Sequence, residues 1–336
     1  MIKAGIIGLG KMGMSHAAIV GAHPDVETVG VCDTSSFMLN AFKKFSKTNT
    51  YSDYKQLIEE QKPDFVFVAT PTKYHYPIVK DALEHNIHVF CEKPFCLKID
   101  EGQELVEFAN KKSLVNQVGY HNQFIGTFRE MKRLLQKKAL GELVHFTGEA
   151  YGPVVVKEKG GNWRSKREEG GGCLYDYASH VLNLIQEVIG RPKEVNGALL
   201  KSIYSHRVED AVYALLTLQN KVSGVLSVNW SDETFRKMST SLTVIGTKGK
   251  MICDATEIKI YLREENTKEC LEKGWTIKYI PELALPVNFY LRGEEYSAQV
   301  DAFIDCIKQR RQTAVNTFEQ ALYTDSVIDM IMNYAK

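Results

Sequence analysis

At 336 residues, 44% of them apolar and 25% charged, the chain has material for large cores and a length that suits two domains. Its 42 Lys and Arg nearly cancel 41 Asp and Glu, leaving a net charge of +1, which argues against nucleic acid or an anionic membrane surface as partner. Seven Cys with no C-x-x-C, a strand that starts at residue 2, and no apolar run near ~20 residues point to a cytoplasmic protein without a disulfide framework, signal peptide or membrane span.

Ile2-Lys3-Ala4-Gly5-Ile6-Ile7 is a short apolar strand, and Gly8-Leu9-Gly10-Lys11-Met12-Gly13 follows it directly. A helix comes next, with Met14, Ala17, Ala18 and Ala22 on spacings of three and four. In a dinucleotide-binding turn each glycine has its own task. Gly8 permits the tight turn, Gly10 lets backbone approach a pyrophosphate, and Gly13 lets helix pack on strand. The amides at the helix start, around Lys11 and Met12, then face the phosphates. The second strand, near 28–32, ends in Asp33, 20 residues after Gly13, the place for a carboxylate that binds both adenosine-ribose hydroxyls. Asp33 would repel a 2′-phosphate, and Thr34-Ser35-Ser36 supplies no Arg to attract one, so NAD is favoured over NADP. The other reading of Asp33 is a helix N-cap.

Phe42 and Phe45 lie on a further helix and 54–60 is another. Asp64-Phe65-Val66-Phe67-Val68-Ala69 is a continuous apolar run, as in a parallel strand buried on both faces. It ends in Thr70-Pro71-Thr72, and His75 opens a helix that runs to about 85. A run with Ile87, Val89 and Phe90 then delivers Cys91-Glu92-Lys93-Pro94, where the Pro stops regular structure. Lys93 at the carboxyl end of a buried strand lies where open α/β sheets bind their ligands. A helix over 100–111 and a strand near 114–120 complete a parallel, doubly wound Rossmann sheet, so residues 1–121 are expected to form a nucleotide-binding domain.

Residues 122–336 are expected to form a second, α+β domain for substrate and oligomerisation. A helix over 126–138 carries Phe128, Met131, Leu134 and Leu135 inward, with Gly141 as its terminator. Strand-like segments follow at 143–151, 195–203, 210–218, 222–230 and 239–245, several alternating apolar and polar residues as in a mainly antiparallel open sheet. Gly246-Thr247-Lys248-Gly249 has the length of a hairpin loop, and helices near 299–310 and 317–334 close the chain. Between these lie Trp163-Arg164 and Gly170-Gly171-Gly172-Cys173-Leu174-Tyr175-Asp176-Tyr177-Ala178-Ser179-His180. Three glycines permit close backbone approach or loop mobility. Asp176 and His180 are i and i+4 on an expected helix, so a carboxylate would orient an imidazole base; the competing reading is a cap plus a surface pair.

Taken in this order, G-x-G-x-x-G at Gly8, Gly10 and Gly13, Ala69-Thr70-Pro71-Thr72 with His75, Glu92-Lys93-Pro94, Trp163-Arg164, and G-G-G-x-L-x-D-x-x-x-H from Gly170 to His180 resemble the Gfo/Idh/MocA oxidoreductases, which include inositol dehydrogenases and glucose–fructose oxidoreductases. The resemblance spans essentially the whole chain. It implies that Lys93 touches the nicotinamide ribose and the reacting oxygen, that Asp176 binds substrate, that His180 is the acid/base and that Glu92 lies by the cofactor. It also implies that the open sheet builds a homodimer or homotetramer. Three positions depart from the pattern: Ala178 for a common Gly, Asn183 for a second Asp, and Gln123, after Tyr120-His121-Asn122, for an Arg.

The expected reaction is NAD-dependent oxidation of a secondary alcohol on a polyol, sugar or sugar derivative, with His180 taking the hydroxyl proton and Lys93 stabilising the alkoxide. Two alternatives stand beside it. One is a glycosidase that uses NAD transiently in an oxidation–elimination cycle; the other is a non-catalytic dinucleotide sensor, which would need none of Lys93, Asp176 and His180. No metal site is expected, because the nine His form neither H-x-x-x-H nor H-E-x-x-H. His16, His23, His85, His88 and His145 read as surface or packing residues. His75 is either cofactor-facing or structural; His121 and Asn122 either face substrate or are surface polar groups. Lys157, Lys159, Arg164, Lys166 and Arg167 outnumber Glu158, Glu168 and Glu169 on the loop over 152–169, which is either a solvated loop or a preference for an anionic substrate.

Overall fold

A computed structural model describes residues 1–157, 163–312 and 315–335. The elements run β1 (Ile2–Ile7), α1 (Lys11–Gly21), β2 (Val26–Cys32), α2 (Ser36–Phe45), β3 (Asn49–Tyr51), α3 (Tyr54–Gln61), β4 (Phe65–Val68), α4 (His75–Glu84), β5 (His88–Cys91), α5 (Ile99–Lys111) and β6 (Asn116–Val118). Next come α6 (Gly126–Gln136), β7 (Leu143–Tyr151), α7 (Val154–Lys157), α8 (Ser179–Val188), β8 (Pro192–Lys201), β9 (Ala211–Leu218), β10 (Ser223–Asn229), β11 (Ser239–Gly246), β12 (Gly249–Asp254), β13 (Glu257–Leu262) and β14 (Gly274–Tyr279). The chain closes with α9 (Ile280–Leu283), α10 (Glu294–Lys308) and α11 (Phe318–Tyr334). Two compact units result, Met1–His121 with Pro286–Tyr323, and Asn122–Leu285 with Thr324–Lys336. None of the described helices is long and apolar enough to cross a membrane.

The first unit holds a six-stranded parallel sheet in the order β3-β2-β1-β4-β5-β6. All four residues of β4 are buried, as the unbroken apolar run predicts. Strand order reverses between β1 and β4, and ligands of such sheets bind outside the carboxyl ends of the strands at that point. The three-residue β3 is an edge strand with no apolar run to announce it.

Residues 122–336 do not form one unit as expected. The segment Pro286–Tyr323 belongs to this first unit rather than to the second. Phe303 of α10 meets Phe65, Phe67 and Phe90 edge-on, with ring centroids 5.7, 6.0 and 5.8 Å away. The chain then runs along β6, where Val118 N–H donates to the Asn316 carbonyl and Phe318 N–H to Asn116 Oδ1, both at 2.7 Å. The periodicity of α10 reveals an apolar stripe but not which sheet the stripe covers.

The second unit carries an eight-stranded sheet in the order β14-β13-β12-β11-β7-β10-β9-β8, antiparallel apart from the parallel β7–β10 pair. The Gly246–Gly249 turn joins β11 to β12 as expected. The three strands beyond it went unpredicted, although Ile258, Ile260 and Leu262 of β13 alternate inward with period two. Helix α6 stops at Gln136, and Lys138 takes the left-handed conformation at its end. Gly141, expected as the terminator, instead turns the chain into β7.

Candidate active site

In the first unit the glycine turn is built by contact. Gly8 has φ +94°, and a Cβ on Gly13 would stand 1.8 Å from the Gly8 carbonyl oxygen, so no larger residue fits the crossing of strand and helix. Helix α1 starts at Lys11 with Gly10 as N-cap and no side-chain cap. Nothing lies within 4 Å of where a Gly10 Cβ would point, which leaves room over unfilled helix-start amides for a pyrophosphate. Lys11 is exposed and Met12 half-buried at this edge.

Asp33 follows β2. Its Oδ2 accepts from Leu9 N–H at 2.6 Å and its Oδ1 from Ser35 N–H at 2.8 Å. It is not the helix cap: Ser35 caps α2, its hydroxyl accepting from Met38 N–H. The carboxylate thus ties the glycine turn to the second strand and keeps lone pairs for a diol. After β4, Thr70 Oγ1 is buried without a hydrogen-bond partner, Pro71 is exposed and Thr72 is buried. The open cradle at Gly10, the half-exposed carboxylate and the orphaned hydroxyl fit a dinucleotide.

His75 is not available to a cofactor. It is 0% exposed, with Nδ1 3.0 and 3.2 Å from the Pro94 and Phe95 carbonyls and Nε2 3.0 Å from the Thr70 carbonyl. Burial outweighs the hydrogen bonds and the nearby Glu92 and lowers its pKa, so the ring carries one proton and one nitrogen faces a carbonyl without donating. Its role is to hold the Thr70 turn against the Pro94 turn.

Glu92 is 8% exposed, and its Oε1 lies 2.6 Å from Nε2 of His16 on α1. Burial alone would raise its pKa, but the hydrogen bond and electrostatic attraction of His16, with the charges of Lys93 and His121, bring it below the usual range. Lys93, half-buried, follows with a cis peptide bond to Pro94. His121, after β6, stacks on Tyr296 of α10 with centroids 4.5 Å apart, and its Nε2 is 3.4 Å from the Tyr296 hydroxyl. Neither His16 nor Tyr296 was singled out as functional from sequence. His16 had one signal: it falls three residues after Gly13, on the face of α1 that packs inward.

In the second unit the glycines at 170–172 serve close packing. A Cβ on Gly171 would meet the Arg164 carbonyl at 2.3 Å, and one on Gly172, at φ +110°, would meet the Glu209 carboxylate at 2.3 Å. Glu209, missed from sequence, is buried, accepts from Leu174 N–H at 3.0 Å and pairs with Arg167; burial raises its pKa. The guanidinium of Arg164 lies 4.8 Å from the Trp163 ring centroid and donates from Nε to Asp176 Oδ2 at 2.9 Å. Lys166 pairs with Glu169 at 3.2 Å. Arg164, Lys166 and Arg167 are thus engaged with the protein's own carboxylates. Glu158, Lys159 and the Lys157 side chain lie outside the described residues.

Asp176 and His180 are each 4% exposed. The helix expected from Asp176 onward begins instead as a π-turn over Leu174–Ala178 and becomes α-helical only at Ser179. Ser179 Oγ donates back to the Tyr175 carbonyl at 2.8 Å and reaches the Asp176 carbonyl at 3.3 Å, a competition that widens the turn. Asn122 is buried, with Nδ2 3.4 Å from Thr240 Oγ1. The two departures noted in the sequence are partners: Gln123 Nε2 donates to Asn183 Oδ1 at 2.7 Å. No cluster of metal-binding side chains occurs among the described residues.

Residues 2–120 match the family model described as oxidoreductase family, NAD-binding Rossmann fold, and residues 128–252 match the GFO/IDH/MocA C-terminal domain. The chain belongs to the GFO/IDH/MocA oxidoreductase family. The D-glucoside 3-dehydrogenase of Escherichia coli (strain K12) is 27% identical to this GFO/IDH/MocA protein over 252 residues, 70% of each chain. The 2,7-anhydro-N-acetylneuraminate hydratase of the same organism is 25% identical over 267 residues, 78% of this chain and 70% of that one. A levoglucosan dehydrogenase solved in complex with NADH superposes with a TM-score of 0.89 at 19% identity, covering 99% of this chain and 96% of that one. As a GFO/IDH/MocA member the protein is an NAD-binding oxidoreductase, and its two sheets are those the sequence reading expects.

Proposed function

We propose that this GFO/IDH/MocA protein oxidises a secondary alcohol on a polyol, sugar or sugar derivative, with NAD as acceptor. The observation that carries the reading is a buried carboxylate and a buried imidazole, Asp176 and His180, on one winding segment of an NAD-binding oxidoreductase. Bound NAD would supply the hydride acceptor. His180 takes the hydroxyl proton, Asp176 with Arg164 orients the substrate side, and Lys93 offers a positive charge to the developing alkoxide. Gly8, Gly10, Lys11, Met12 and Gly13 hold the pyrophosphate, Asp33 the adenosine ribose, and Thr70, Pro71 and Thr72 the nicotinamide half.

An NADH-formation screen over inositols, aldoses, amino sugars and nucleotide-sugars tests the activity. His180→Ala and Lys93→Ala are each expected to lose ~10²–10⁴ in kcat while NAD affinity is kept. Near-normal turnover in either variant would remove that residue from the chemistry.

A second reading is a glycosidase that uses NAD transiently in an oxidation–elimination cycle; one relative is named a hydratase, an activity without net redox change, which favours it. Its signature in the same screen is substrate consumed and product released without NADH accumulating.

The exposed face of the eight-stranded sheet supports a homodimer or homotetramer. Leu199 pairs across with Tyr213 and Leu215 with Val225, all exposed, and Tyr261 pairs with Trp275 on the far strands.

A further inference from the structure

We propose that the buried His16–Glu92 pair biases the dinucleotide site toward oxidised NAD, with Glu92 supplying a fixed negative charge and His16 acting as its positioning residue. The inference rests on the reading that NAD lies along the carboxyl edge of the parallel sheet with its adenosine ribose on Asp33.

The placement follows from strand order. Asp33 ends β2, on one side of the β1–β4 switch point, and Glu92 follows β5 on the other. A dinucleotide with its ribose at Asp33 and its pyrophosphate over Gly10 extends its nicotinamide toward the β4–β5 side. The oxidised nicotinamide ring carries a positive charge that the reduced ring lacks. A fixed carboxylate on that side therefore favours the oxidised form, and neutralising it favours the reduced one.

Several features are built to hold this carboxylate. His16 is fully buried between Phe67 and Phe90, with ring centroids 4.9 and 5.1 Å away. Its Nδ1 has no hydrogen-bond partner. A proton there would be a buried, unsatisfied donor, so the tautomer that fits the site donates from Nε2 to Glu92 Oε1, 2.6 Å away. Glu92 Oε2 accepts from Lys93 N–H at 3.2 Å. Opposite, a Cβ on Gly119 would lie 2.9 Å from both carboxylate oxygens, so the end of β6 is kept bare for them. The titratable neighbours are Lys93, His121 and, on α10, Tyr296.

The test is equilibrium binding of NAD and NADH, each alone, to the wild type, Glu92→Gln and His16→Leu. Gln keeps an acceptor oxygen for His16, so Glu92→Gln retains the buried hydrogen bond. It is expected to lower the ratio of NAD to NADH affinity by about tenfold, mainly through weaker NAD binding. His16→Leu removes the donor, and burial without that hydrogen bond raises the Glu92 carboxyl's pKa. Its affinity ratio, relative to wild type, should fall toward that of Glu92→Gln at the acidic end of a pH series and recover at the alkaline end, whereas Glu92→Gln stays low throughout. If His16→Leu does not fold, Glu92→Gln decides alone. An unchanged ratio, or equal losses for both cofactor forms, overturns the inference. Wild type that binds neither form overturns instead the reading of the site on which it rests.

Discussion

Asp33 accepts one N–H on each oxygen and retains acceptor capacity for two hydroxyls. Asp33→Ala is therefore expected to weaken NAD binding by ~1.5–3 kcal/mol, read by calorimetry, since hydrogen bonds to a charged group are lost. Unchanged affinity would confine Asp33 to holding the turn. Its position was legible because spacing from a glycine turn is a local property of one βαβ unit. His75 was legible as a helix start but not in its role, because the Pro94 and Phe95 carbonyls it meets come from a different strand end. His16 and Glu92 are 76 residues apart, and only the packing of α1 on the sheet brings an apparently ordinary histidine to a carboxylate.

At the scale of elements, the segment that carries Asp176 depends on the backbone before it. Gly172→Ala places a Cβ against Glu209 at φ +110° and should cost more than about 2 kcal/mol, seen as a lowered Tm. NAD affinity, a property of the first unit, should survive; a parallel loss of both would contradict this division. Glu130 shows a second kind of dependence. It joins α6 to β14 through Lys278 and pairs with Arg133 on its own helix, and the Arg133 hydrogen bond is the larger cause that brings its pKa to about 2. Because the folded value lies below the unfolded one, this stabilisation is present above about pH 4.3 and fades as pH falls toward 2. Glu130→Gln should cost on the order of 2 kcal/mol in urea unfolding at neutral pH and much less near pH 2. A pH-independent cost would mean lost packing instead. Strands β7 to β11 were legible from apolar alternation; β13 carries the same alternation in Ile258, Ile260 and Leu262 and was overlooked, whereas the π-turn has no sequence period that marks it.

At the scale of the whole molecule, two kinds of sheet were legible because buried parallel strands and half-exposed antiparallel ones have different residue patterns. The same half-exposure leaves Leu199, Tyr213, Leu215 and Trp275 facing outward. Leu215→Glu with Trp275→Glu is expected to shift sedimentation to the monomer without lowering unfolding cooperativity. An unaltered sedimentation coefficient would place the interface elsewhere. The discontinuity of the first unit was not legible, because assigning Pro286–Tyr323 to one sheet or the other is a matter of shape matching between distant segments.

That discontinuity sets an order of events during synthesis. When the first six strands leave the ribosome, the aromatic face of Phe65, Phe67 and Phe90 has no cover, because Phe303 has not yet been made. Residues 122–285 form one continuous stretch of the second unit and emerge before Phe303, and its remaining segment, Thr324–Lys336, follows at the end of the chain. The nucleotide-binding unit, first in the chain, therefore closes only after residues 122–285 have been made, and a nascent chain halted before α10 presents a sticky, unfinished sheet to chaperones.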